Sequence, residues 1–147
     1  MTKLKLTSPA FSDGGEIPRE CGYKHGNEEP SLSSGGIPDG TKSLALIMDD
    51  PDAMGAVGKI WVHWVAWNID PTKTELELAK STEGMTDFGE VGYGGPAPPD
   101  KRHTYVFKLY ALDSELDLPG KSTKADVEKA MKGHIIEQAT LEGTYAP

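Results

Sequence analysis

The stretch SLALIMDDPDAMGAVGKIWVHWVAWNI, Ser43 to Ile69, reads as two apolar strands flanking a polar corner. In the first, Ser43 to Met48, Leu44, Leu46 and Met48 alternate with Ala45 and Ile47, and the run stops at Asp49 as a buried strand stops at a turn. The corner that follows, Asp49-Asp50-Pro51-Asp52, contains a proline that cannot donate to a ladder. The second run, Ile60 to Ile69, is rich in Trp, Val and Ile and holds a single ionisable residue, His63, between Val62 and Trp64. Met54 to Gly58 reads as a small flexible connection, which brings the two strands close in space and leaves hairpin-like pairing open.

Outward from this centre the signals are weaker. Leu4 to Phe11 alternates apolar and polar residues until Pro9 and predicts an opening strand, turned at Asp13-Gly14-Gly15. Ile17 to Gly40 lacks periodicity and reads as a long irregular loop, with Ile37-Pro38-Asp39-Gly40 as its last turn. Pro71 to Ser81 reads as loop. Gly84 to His103 has too much Gly and Pro for a regular element and is a natural binding wall. Thr104 to Leu112 returns to strict alternation, with Tyr105, Phe107, Leu109 and Ala111 on one face.

Thr123 with Asp126 three residues on forms a capping-box pattern. Val127, Ala130, Met131, His134, Ile135 and Gln138 or Ala139 follow at helical spacing. Gly133 within that run is either a packing contact or the meeting point of two shorter helices. Several strands and then a terminal helix predict a mostly β, sandwich-like body with one helical appendage.

With 147 residues the chain is expected to form one domain spanning 1–147. The net charge of -8, with no basic run to offset it, argues against nucleic acid and against anionic bilayers as partners. A single cysteine, Cys21, excludes an intrachain disulfide, and no apolar run reaches the length of a membrane span or a secretory leader, so a cytoplasmic address is expected.

Three features carry chemistry: the Asp50-Pro51-Asp52 corner, His63 in the next strand, and a Gly-Gly-Pro-x-Pro loop leading to His103. Taken alone, the aspartates could cap a turn and the histidines could be buried neutral residues. Asp50, His63 and His103 also match the ligand count of a facial-triad or catalytic zinc site, which defines a metal-dependent enzyme as one alternative. The Asp run is no EF-hand, because Met54 lacks an oxygen ligand and Trp61 stands where the bidentate Glu belongs. There is no Gly-x-Ser-x-Gly elbow, and Cys21 near His25 has no orienting third residue.

LALIMDDPDA, WVHWVAWNI, YGGPAPP and RHTYVFKLYAL, in this order and spacing, resemble the phosphatidylethanolamine-binding protein family, also called Raf kinase inhibitor-like proteins, in its bacterial and archaeal branch. The similarity runs from KLTSPAF to EGTY. It implies two antiparallel β-sheets packed face to face, a C-terminal helical segment and an anion pocket lined by Asp50, Asp52, His63, Gly95, His103 and Tyr105. The expected ligand is phosphate or a phosphorylated head group. No enzymatic activity and no cofactor are expected, and a homodimer follows by family analogy alone. Relatives that inhibit kinases or proteases supply a further alternative, acting through surface loops such as Ile17 to Gly40 or Gly84 to Lys101. The chain departs from the family pattern at Met54, where proline is usual, at Thr104, where arginine is frequent, and at Ser34, near which an aromatic is frequent.

Overall fold

All eight residues of the strand Ser43–Asp50 are buried, because it has a strand on either side and both its faces are covered. The computed structural model describes residues 3–147. Its strands are β1 (Lys5–Thr7), β2 (Gly15–Glu16), β3 (Ser33–Gly35), β4 (Ser43–Asp50), β5 (Trp61–Ile69), β6 (Thr82–Glu83), β7 (His103–Leu112) and β8 (Ile135–Tyr145). Two helices, α1 (Ala53–Val57) and α2 (Lys124–Met131), interrupt them. Six strands form one sheet in the order β2-β8-β7-β4-β5-β6, antiparallel except for the β2–β8 pair, and β1 and β3 form a small second sheet.

Alternation along β4 divides the core in two. Leu44, Leu46 and Met48 join Leu4, Leu6 and Leu32 of the small-sheet side, together with Trp64, Phe107 and Leu109. Ala45 and Ile47 point the other way, onto Trp67, Leu112 and the α2 residues Val127 and Met131. The same alternation sends successive carboxylates to opposite faces. Asp49 meets Lys124 Nζ at 2.7 Å on the helix side, whereas Asp50 meets His103 on the other.

Several expectations need correction. β4 does not stop at Asp49: ladder partners on β5 carry it through Asp50. Met54 to Gly58 is not a loose connection. It is mostly helix α1, closed by Gly58 at φ +80°, which a residue without Cβ adopts freely. All peptide bonds among the described residues are trans, so the Met54 corner turns without a cis bond. The Leu4 to Phe11 strand shortens to Lys5–Thr7, and the Ile17 to Gly40 loop contains β3 and a 3-10 turn at Arg19–Cys21.

The largest correction concerns the C-terminus. The capping box is present, with Thr123 Oγ1 accepting from the Asp126 amide and the Asp126 carboxylate accepting from the Thr123 amide. The helix nonetheless ends at Met131, because Gly133 at φ +85° turns the chain back. Ile135 to Tyr145 then pairs antiparallel along β7 from His103 to Leu112. A long free edge on β7 outweighs helical spacing in the segment that follows, since strand pairing satisfies every second backbone group on both sides.

Candidate functional site

The site gathers at the end of the six-stranded sheet where β4 finishes and β5 and β7 begin. Opposite the Met48–Asp49 step of β4, the β5 register slips by one between Trp64 and Val62, leaving His63 as the extra residue of a β-bulge. Bulges re-aim side chains, and this one lets His63 join Tyr105 and Phe88, with ring centres 5.1 and 5.4 Å away. The His63 Nδ1–H donates to Gly94 O at 2.7 Å. Burial lowers the His63 pKa, against the opposing pull of the Gly94 carbonyl and of Asp50. The ring is therefore neutral, with Nε2 left as an acceptor.

His103 is the opposite case. Its Nδ1 donates to Asp50 Oδ2 at 2.6 Å and its Nε2 to Asp100 Oδ1 at 2.7 Å. Two donors exist only in the imidazolium form. Burial works against that charge, but the hydrogen bonds to Asp50 and Asp100 outweigh it and the pKa is raised. The two carboxylates differ in setting: the Asp50 side chain is 4% exposed and the Asp100 side chain 44%.

A cavity of about 220 Å³ opens between these groups, lined by Asp50, His63 and His103 at the polar end and by Ala53, Trp61 and Phe88 among its apolar walls. Of the six residues proposed from sequence, three therefore share one cavity. Tyr105 lies fully buried between the two imidazoles, and its hydroxyl makes no well-aligned hydrogen bond. Burial and then the Asp50 charge push its pKa up.

Asp52 and Gly95 do not line the cavity. Asp52 is exposed and acts as a staple: its amide donates to Asp50 Oδ1 at 3.0 Å and its Oδ2 accepts from the Thr104 amide at 2.9 Å. It thereby ties the end of β4 to the start of β7. The Gly95 amide is already committed to Asn27 Oδ1 at 2.7 Å. Among the described residues no group of three His, Cys, Asp or Glu side chains is arranged to hold a metal ion. Burial, with the Glu20 and Glu28 charges, pushes the Cys21 thiol up to about 11, so it stays protonated at neutral pH.

Sequence reasoning missed Asp100, Phe88, Ala97 and Pro99. Asp100 carried a usable signal, an acid three residues before a histidine in a proline-terminated loop. The others sit in the aperiodic Gly84 to His103 segment, where no pattern says which residue turns inward. Trp61 and Trp64, on the same strand, have different roles. Trp61 lines the cavity, while Trp64 is fully buried and donates to Glu83 at 2.8 Å.

The chain is similar to known proteins over nearly its whole length. A profile described as phosphatidylethanolamine-binding protein matches residues 7–146. The chain belongs to the phosphatidylethanolamine-binding protein family. A UPF0098 protein of Methanothermobacter thermautotrophicus is 44% identical, the match covering 97% of this chain and 98% of the relative. Among solved structures, a phosphatidylethanolamine-binding protein homologue from Chlamydia trachomatis superimposes with a TM-score of 0.91 at 38% identity, over 99% of this chain and 98% of that one. E. coli YBCL gives 0.88 at 31%, over 98% of each chain. The mostly β family fold expected from the four motifs is thus present, with sheets of unequal size and a strand, not a helix, at the C-terminus.

The two imidazoles of this family member set opposing pH limbs. The raised His103 pKa contributes stability that is complete below the ordinary imidazole value of about 6.5 and is lost as pH rises through the raised value. The lowered His63 pKa acts inversely: the unfolded chain takes up that proton first, so stability falls as pH drops below about 6.5. Thermal unfolding in steps from about pH 5 to pH 8.5 is expected to show a maximum near that value. His63→Gln should flatten the limb between about pH 5 and 6.5 and leave the alkaline limb in place. An unchanged acid limb in the variant would remove His63 from this account.

Proposed function

We propose that the chain is a binding protein and not an enzyme, and that its ligand is phosphate or a phosphorylated head group seated on His103. The observation that carries this reading is the pairing of His103. Its buried side is fixed by Asp50, while its outer nitrogen is held only by the exposed carboxylate of Asp100. Asp100 is in chemical terms an intramolecular oxyanion, and a ligand oxygen exchanges with it without leaving the imidazolium unpaired. His63 presents an acceptor, so the ligand brings a proton of its own or binds together with one. Apolar walls at Ala53, Val57, Phe88 and Pro99 receive the substituent.

The Gly84 to His103 segment supports this reading over inhibition through that loop, because its inward bonds to His63 and Asn27 are spent on building the cavity wall. Asp100→Asn is expected to bind inorganic phosphate about ten-fold tighter at matched ionic strength, the factor for a competitor that occupies the donor roughly nine-tenths of the time. Titration calorimetry in buffers of different ionisation enthalpy reads both this gain and the accompanying proton uptake. No binding of phosphate or phosphoethanolamine by either protein would sink the reading.

A further inference from the structure

On the far side of the proline loop lies a second cleft, of about 250 Å³, lined among others by Arg19, Lys24, His25, Pro96, Pro98 and Tyr145. Ala97 and Pro99 border both this cleft and the first cavity, so the loop stands between them as a septum. No Asp or Glu lines the cleft, in a chain with 23 acidic and 15 basic residues.

Arg19 is held at three points. One nitrogen donates to Ala146 O at 2.8 Å, another to His25 Nε2 at 3.3 Å, and the guanidinium carbon lies 4.8 Å from the centre of the Tyr145 ring. These contacts use two of its five N–H groups and fix the plane of the fork. Because His25 Nε2 accepts from Arg19, its proton sits on Nδ1, which is then a donor. Among the described residues neither that nitrogen nor Lys24 Nζ has a hydrogen-bond or ion-pair partner. Arg19, which these contacts fix, the exposed Lys24 and an imidazole donor thus converge with no Asp or Glu side chain among the residues that line the cleft, an arrangement that an oxyanion completes.

We propose that this cleft is a second oxyanion site, separate from the His103 cavity, and that it takes phosphomonoesters. A phosphomonoester carries about -1.5 to -2 charge at neutral pH and matches the two cations, which a carboxylate does not. The space equals that of about eight waters at roughly 30 Å³ each, enough for a phosphate and a small organic group. Pro96, Pro98 and Tyr145 offer that group a rigid apolar wall.

The test is a site-resolved titration of the whole chain, following backbone amide resonances by NMR with inorganic phosphate, phenyl phosphate and acetate at constant ionic strength. Saturable shifts at Lys24, His25 and Gly26 are expected with both phosphates, tighter for phenyl phosphate and absent for acetate. Lys24→Glu, a change at an exposed side chain, should weaken the shifts at His25 about ten-fold or more while leaving those at Trp61 and Phe88 unaltered. Arg19→Gln should act in the same direction. Shifts confined to Trp61 and Phe88, shifts at His25 that never saturate, or equal responses to acetate would each overturn the proposal. The outcome is independent of the His103 site, whose own resonances report separately.

Discussion

Replacing His103 with alanine is expected to lower the melting temperature by about 10 °C. The imidazolium is the partner of Asp50, whose side chain is 4% exposed, and without it the buried carboxylate loses its only cationic partner among the described residues and keeps the Asp52 amide as a donor. Breaking one side of a buried pair costs about 3–5 kcal/mol. For a chain of this size each kcal/mol corresponds to roughly 2–4 °C. The mechanism makes a second expectation that simple loss of packing does not. Asp50→Ala added to His103→Ala removes the stranded charge, so the double variant should melt above the His103 single variant. A double variant that melts lower still would show that burial of the two side chains, not their pairing, dominates. His103→Ala should also abolish the rise in melting temperature that phosphate gives the unaltered protein, because only a ligand bound to the native state stabilises it.

Gly95→Ala is the second large effect, and it bears on why this glycine is there. A Cβ at Gly95 would lie 2.0 Å from Cys21 O, 3.0 Å from the Tyr23 amide and 3.1 Å from Asn27 Oδ1. Two of these are backbone atoms that cannot rotate away, so the proline loop must lift off the Cys21 to Tyr23 segment. The amide bond to Asn27 goes with it. Overpacking with a lost hydrogen bond places the cost at about 3 kcal/mol. Gly55 provides the control: nothing lies within 4 Å of its built Cβ, and it sits inside α1. Gly55→Ala is expected to stabilise by up to about 1 kcal/mol through helix propensity. Urea unfolding of both variants tests the pair. A Gly95→Ala protein as stable as the parent would show that the loop does not lie closed on that segment.

The resemblance carried Gly95 forward as a ligand-facing amide, and the structure assigns it to a seam between two loops. The distinction was not available in the chain, because a Gly in a Gly-Pro segment says only that a Cβ is excluded, not what excludes it. Asp52 is similar. The resemblance placed it in the pocket with Asp50, yet alternation and the α1 turn direct it to the Thr104 amide. Asp49, unassigned in sequence, becomes the anchor of α2 through Lys124, 75 residues away.

What the sequence determined by itself was local and periodic. Apolar alternation set the central strands, the Thr123 and Asp126 spacing set the start of α2, and four ordered motifs set the family. Tertiary structure decided everything that depended on a neighbour distant along the chain. The edge of β7 made Ile135 to Tyr145 a strand against its helical spacing. The bulge at His63 chose the face of that histidine. Asp100, by reaching back to His103, completed an imidazolium whose other partner lies 53 residues away. Periodicity records which side of an element is buried, but protonation and ligand access depend on which groups meet there, and those meetings exist only after the strands have paired.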